Sequence, residues 1–325
     1  MLSTVILCLL VVSAFTKQKS HDDEFNYKLG GDDWPGLCAT GDLQSPIDVH
    51  FMNQLSGSQI QGCEIVEELK GDTDMYAYPE RLVLNRDGQP QATFQFGSTD
   101  EVLITNVGDA IVWMFDDDFS LLNLPIQGGK LDGVLHPITK GQGRTSNFMG
   151  GQIEYVQARF VNFHVHSPGE HMYNGYLAPL EGHFVMNIDQ ADLDTCPEAG
   201  CLAVVSVHFQ HSLDDTPNQF IQDTLELIGG EWPVQIGASM EANGSLNFDQ
   251  LLPQNPHYML YSGSLTTPPC TEGVLWHVIQ ESVPVSIAQV AALQNAIGYS
   301  HDGIVRNNRR IQPINNRDII YHDCI

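Results

Sequence analysis

The chain has 325 residues, 40 Asp+Glu against 14 Lys+Arg, and 42% hydrophobic residues. That apolar share supports a real core and rules out a disordered chain, while a formal charge of −26 argues against nucleic acid and anionic membrane surfaces as partners. Only 17% of residues are charged, so the imbalance is a shortage of bases, and a run such as Asp116-Asp117-Asp118 reads as solvated surface.

Leu2 to Phe15 is an uncharged apolar stretch. It is too short to span a bilayer, and residues 1–16 read as a cleaved signal peptide. Nothing further along is apolar enough for a span, and the closing RDIIYHDCI offers no tail for a lipid anchor. Secretion is the expected fate. Of the seven cysteines Cys8 lies in the signal, leaving Cys38, Cys63, Cys196, Cys201, Cys270 and Cys324. Six thiols in a secreted chain can pair completely, with the connectivity open. From residue 22 to 323 nothing resembles a linker, which predicts a single domain.

Short apolar runs punctuated by Gly, Asn, Asp and Pro predict many short strands. Examples lie at 101–106, 110–115, 160–166, 182–187, 202–209 and 273–279. Thr216-Pro217-Asn218-Gln219 reads as a capping box opening a helix that ends at Gly229-Gly230. Asn243-Gly244-Ser245 is a glycosylation sequon. Ser286 opens a second helix, with Val290, Leu293 and Ile297 on one face before Gly298.

The stretch Phe160 to His171 carries the chemistry. Alternation along a strand puts Asn162, His164 and His166 on one face, with Phe163 and Val165 on the other. A second strand-like run presents Glu181, His183 and Val185 together. Three histidines with one coordination position left for water is the ligand count of a catalytic zinc. A His-x-His pair alone is weak evidence in a chain of thirteen histidines. The letters also fit a jelly-roll cupin pattern, with His183 and Asn187 as its second half and Glu170 itself a ligand. Local reading leaves both open.

Three further segments separate them. They are Gln44-Ser45-Pro46-Ile47-Asp48, then Ser262 to Cys270 (SGSLTTPPC) continuing through Glu272 and Val274 to Trp276, then Asn307-Asn308-Arg309 with Gln312-Pro313. In this order, from Trp34 to Tyr321, the chain resembles the alpha-class carbonic anhydrases, of the secreted type. The resemblance implies a predominantly β (mixed α/β) fold: one large twisted, mostly antiparallel sheet with a few short surface helices. It implies zinc on His164, His166 and His183, with Asn162, Glu181, His171 and Tyr261 supporting the rings from behind. The family usually carries glutamine where this chain has the shorter Asn162. Glu170 would accept from the Thr266 hydroxyl, so that Thr266 aims a zinc-bound hydroxide at carbon dioxide. Val185, Val204, Leu265, Thr266, Thr267, Val274 and Trp276 would hold that substrate, and bicarbonate would leave. Asp109 falls where fast members carry a proton-shuttling histidine. The resemblance pairs Cys38 with Cys270, leaving Cys196–Cys201 and Cys63–Cys324. Longer spacings on both sides of Asp109 imply two surface insertions. A remaining alternative is an acidic, non-catalytic mineral or matrix scaffold on the same fold, motivated by the net charge.

Overall fold

The computed structural model describes residues 25–49, 66–67, 81–84, 92–115, 121–127, 130–131, 154–173, 175–193, 196, 200–253, 256–300, 305–315, 317 and 319–322. Among them, strands dominate and form a mixed sheet of 15. The strands that build the site are β1 (Leu103–Asn106), β2 (Ile111–Met114), β3 (Leu121–Gln127), β4 (Glu154–His166), β5 (Leu180–Ile188), β6 (Cys201–His211), β7 (Tyr258–Ser264), β8 (Glu272–Ile279) and β9 (Ile319–His322). They lie side by side as β1-β2-β4-β5-β6-β8-β7-β9, and β3 runs along the first half of β4. Most ladders are antiparallel, while β6 and β8 pair in parallel. A single sheet of this width, its strands paired edge to edge, is not the double sheet of a jelly roll, which removes the cupin alternative.

The 13 residues of β4 pair with β5 along one edge and divide the other edge between two partners. Glu154–Arg159 pair with β3, and Phe163–Val165 pair with β2. The change of partner coincides with a β-bulge between Phe160 and Asn162 against β5, the irregularity that lets a long strand bend and re-aim its side chains. Every residue of β5 is buried, as expected for a central strand covered on both faces. Its Phe184 joins Trp113, Phe163, Phe220 and Phe248 in the main core, where each ring contributes roughly 2–3 kcal/mol by leaving water.

Three α-helices are described, α1 (Leu37–Thr40), α2 (Gln219–Leu227) and α3 (Ile287–Ser300), besides a 3-10 turn at Phe248–Leu251. The cap of α2 differs from the capping-box reading. Asn218 is the N-cap, its Oδ1 accepting the Ile221 N–H at 3.1 Å. Thr216 instead turns back, its hydroxyl donating to Asp214 at 2.7 Å. Two competent cap residues stand two apart, and the one whose own amide and carbonyl are tied to Gln289 wins. In α3 the Ser286 cap holds as read, with its Oγ accepting from Gln289 N–H. The helix runs through Gly298 rather than ending before it. A Cβ there would come within 2.7 Å of Val305 Cγ1, so the glycine permits close approach and does not stop the helix.

Among the described residues, no helix is long and apolar enough to cross a membrane. Cys38–Cys270 and Cys196–Cys201 are joined as disulfides. Cys63 and Cys324, the signal segment 1–16 and most of the two insertions lie outside the described residues. Asn243 is exposed in a bend after the Ser239–Glu241 strand.

Candidate metal centre

Pairing of β4 with β5 sets His164 directly opposite His183 and His166 opposite Glu181. Opposed residues of an antiparallel pair share a face. The three imidazoles therefore converge, while Phe163 and Val165 point into the main core behind them. The candidate ligand nitrogens of His164, His166 and His183 lie within 4.8 Å of one another.

Each ring is held from its far side. Asn162 Oδ1 accepts from His164 Nδ1 at 2.8 Å, so the shorter amide does reach. The Asn307 carbonyl accepts from His166 Nδ1 at 2.7 Å, and Glu181 Oε1 accepts from His183 Nε2 at 2.8 Å. These bonds place the ring protons and leave Nε2, Nε2 and Nδ1 as lone-pair donors facing the common centre. His166 Nε2 is buried without a hydrogen-bond partner, 3.5 Å from Glu170 Oε2. Burial holds all three imidazoles below their ordinary pKa, His164 well below it with His166 and His183 adding to the effect. Neutral imidazole is the form that binds a metal. An orphaned buried nitrogen and a neutral three-nitrogen set fit a tetrahedral zinc with one position left over.

A second cluster, His171, Glu181 and His183, also meets metal-site spacing. Its facing nitrogens are already used. His171 Nδ1 donates to Glu181 Oε1 at 2.7 Å, and His171 Nε2 accepts from the Tyr261 hydroxyl at 2.6 Å. Tyr261 in turn contacts Ser45 Oγ at 2.8 Å. Glu181 Oε2 accepts the backbone N–H groups of Glu170 and His171. Burial alone would raise the Glu181 pKa, but His171, His208 and His183 outweigh it and keep the carboxyl well below its usual range. This cluster is a hydrogen-bonded brace behind the three-histidine centre.

Glu170 sits beside the centre on the turn after β4. Its Oε1 accepts the Arg309 N–H at 2.7 Å. Burial pushes its carboxyl up to about 7, against the pull of His183, the Arg309 N–H and the Thr266 hydroxyl. Thr266 is buried in the loop two residues beyond the end of β7. That loop is closed by Leu265 N–H to Thr271 O and Cys270 N–H to Thr267 O. Val185, Val204, Val274 and Trp276 fall in one buried cluster separate from the main core, with Leu265 packed against it. Trp276 and His183 meet edge to face at 4.9 Å. Thr267 is half-buried in the same loop.

Asp109 lies in the β1–β2 turn, half-buried, its backbone oxygen accepting from Asn307 Nδ2 at 2.9 Å. Its charge is felt at His166 and Tyr27. Four contributors were not assigned a role from the sequence: the Asn307 carbonyl, the Arg309 amide, Ser206 and His208. Backbone groups leave no letter to read. Ser206 donates its hydroxyl to Glu181 Oε1 at 2.6 Å, a contact made only by the pairing of β5 with β6, which no local pattern in the sequence announces.

A family model described as eukaryotic-type carbonic anhydrase matches residues 93–323. A carbonic anhydrase of Pectobacterium atrosepticum is 33% identical over 200 residues, covering 61% of this chain and 73% of that protein. One of Pectobacterium carotovorum is 33% identical over 159 residues, and the match spans 49% of this chain and only 56% of the relative's length. Among solved structures, the Photobacterium profundum alpha-carbonic anhydrase is similar with a TM-score of 0.60 and 25% identity, covering 91% of this chain and 100% of that one.

Proposed function

The chain belongs to the eukaryotic-type carbonic anhydrase family, and on that premise we propose that it is a secreted zinc enzyme interconverting carbon dioxide and bicarbonate, with residues 22–323 as its catalytic domain. The observation that carries the reading is the trio His164, His166 and His183. Each presents one free nitrogen to a common point, and each is fixed by an acceptor behind it. Two disulfides favour an oxidising compartment.

Zinc, when bound by these histidines, supplies a Lewis acid that makes water nucleophilic near neutral pH. The protein's part is orientation and a dry surface. As a carboxylate, Glu170 takes the Thr266 hydroxyl proton into a hydrogen bond, so Thr266 Oγ1 can only accept. It therefore selects and aims a nucleophile that still carries a proton. The Thr266 backbone N–H faces the developing negative oxygen of the substrate. Val185, Val204, Leu265, Val274 and Trp276 give carbon dioxide an apolar place to rest and offer bicarbonate nothing, which favours product exit. The proton released in each turnover leaves past Asp109, a carboxylate whose reference pKa of about 3.9 makes it a weak acceptor beside histidine at about 6.5.

Metal analysis and stopped-flow carbon dioxide hydration on the purified chain test the proposal together. One zinc per chain with hydration activity is expected. Stoichiometric zinc without hydration would overturn the enzyme and leave a scaffold.

A further inference from the structure

Glu181 carries more donors than a carboxylate ordinarily accommodates. Its Oε1 receives His171 Nδ1–H at 2.7 Å, His183 Nε2–H at 2.8 Å and the Ser206 hydroxyl at 2.6 Å. Its Oε2 receives the Glu170 and His171 backbone N–H groups at 2.6 and 2.7 Å. Five donors thus meet about four lone-pair sites. The position of Glu181 is already fixed without Ser206, because the two backbone amides pin Oε2 and His171 pins Oε1. What Ser206 adds is a further draw on the charge of the one oxygen that faces His183.

That draw matters because His183 is the ligand Glu181 supports. A carboxylate accepting the far N–H of a ligating imidazole makes the ring more basic and the metal bond stronger. Donors on one oxygen compete for the same electron density. A hydroxyl at 2.6 Å therefore weakens the push that Glu181 gives His183. Ser206 is fully buried on β6, in register with His183, so no water takes its place.

We propose that Ser206 is a positioning residue that acts through Glu181 to moderate how tightly His183 holds the metal. The proposal rests on the zinc reading of His164, His166 and His183. Removing the hydroxyl returns the full charge of Glu181 Oε1 to its two ring donors. The ion is then held longer and is a weaker Lewis acid.

Two measurements on the zinc-loaded full chain test this: zinc release into excess pyridine-2,6-dicarboxylate, and the imidazole N–H region of the proton NMR spectrum. Ser206→Ala is expected to slow zinc release about 3- to 10-fold, less than the roughly 10- to 100-fold that follows loss of a ligand's direct hydrogen-bond partner because Ser206 acts at one remove, and to move the His183 Nε2–H resonance downfield. Ser206→Thr keeps a hydroxyl and is expected to match the unsubstituted protein in both. Ser206→Gly, which also lacks the hydroxyl, repeats the measurement should the alanine variant not fold. Unchanged or faster release with an unmoved resonance overturns the role of Ser206. An unsubstituted chain that takes up no zinc would instead refute the metal centre, so the two failures are distinguishable.

Discussion

Glu170 touches the candidate metal centre without being needed to complete it. It stands 3.5 Å from the orphaned His166 Nε2, yet its other oxygen is committed to the Arg309 amide. A ligand role would require the carboxylate to turn toward the ion, whereas an orienting role requires it to accept from Thr266. Glu170→Gln discriminates, because the amide is nearly the same size but its NH₂ end can donate. The Thr266 hydroxyl is then free to donate as well, and the nucleophile loses its aim. Expected are retained zinc after dialysis against a chelator and hydration lowered by about 10- to 100-fold. Loss of the metal in the variant would make Glu170 a ligand and contradict the assignment.

At the scale of elements, the residues around Thr266 are held in place from the amino-terminal segment. Phe25, Tyr27 and Trp34 pack edge to face, and Cys38 on α1 is bonded to Cys270 four residues beyond Thr266. Arg309 knits these together, donating to the Cys38 and Ser45 carbonyls and to Gln44 Oε1, with its guanidinium over the Trp34 ring. Gln44 also donates to the Cys270 carbonyl. The two bridges close loops of very different size, with sequence separations of 232 and 5. Loop-closure entropy then gives about 5 kcal/mol for Cys38–Cys270 and about 2 kcal/mol for Cys196–Cys201. Denaturation midpoints of Cys38→Ser/Cys270→Ser and of Cys196→Ser/Cys201→Ser are expected to fall in that order. Equal losses would show that native contacts, not chain entropy, set the value of the long bridge. Much of this element level was readable in the letters. Alternation placed Asn162, His164 and His166 on one face of a strand because the side-chain period of two is independent of what the strand pairs with. The strand's true start at Glu154 was not readable, since β4 extends only because β3 is there to pair with it. The cap of α2 was misread for a similar reason. Thr216 and Asn218 are equally good caps locally, and the choice is made by Gln289, 71 residues away.

For the whole molecule, the buried histidines make stability depend on pH in a definite direction. Pairing of Glu181 with His208 across β5 and β6 brings a further imidazole to the brace, 3.6 Å from Glu181 Oε2 and against the Tyr173 ring. Sequence alone gave His208 no role, because its neighbours along the strand are ordinary core residues and its partner arrives from another strand. Burial pushes the His208 imidazole down to about 4, with Glu181 opposing. An unfolded chain binds that proton near pH 6.5 and the folded chain does not. The stability contributed by keeping His208 neutral is therefore fully present above about pH 6.5, is lost progressively as pH falls, and is gone below about pH 4. A depression of this size corresponds to roughly 3 kcal/mol. Glu181 acts in a lower window, since its depressed pKa withdraws stability only as the pH falls below the ordinary carboxylate value of about 4.3. The acidic surface works the other way, because carboxylates neutralised on the approach to the isoelectric point near 4.5 relieve the repulsion within a −26 charge. Comparing urea midpoints of the metal-free protein and His208→Leu at several pH values between 7.5 and 4 separates these contributions, since the surface term is common to both. The substitution is expected to flatten the acid loss by about 3 kcal/mol across that interval. Parallel profiles would mean that His208 takes up its proton inside the fold and that Glu181, already crowded with donors, still has charge to spare for it.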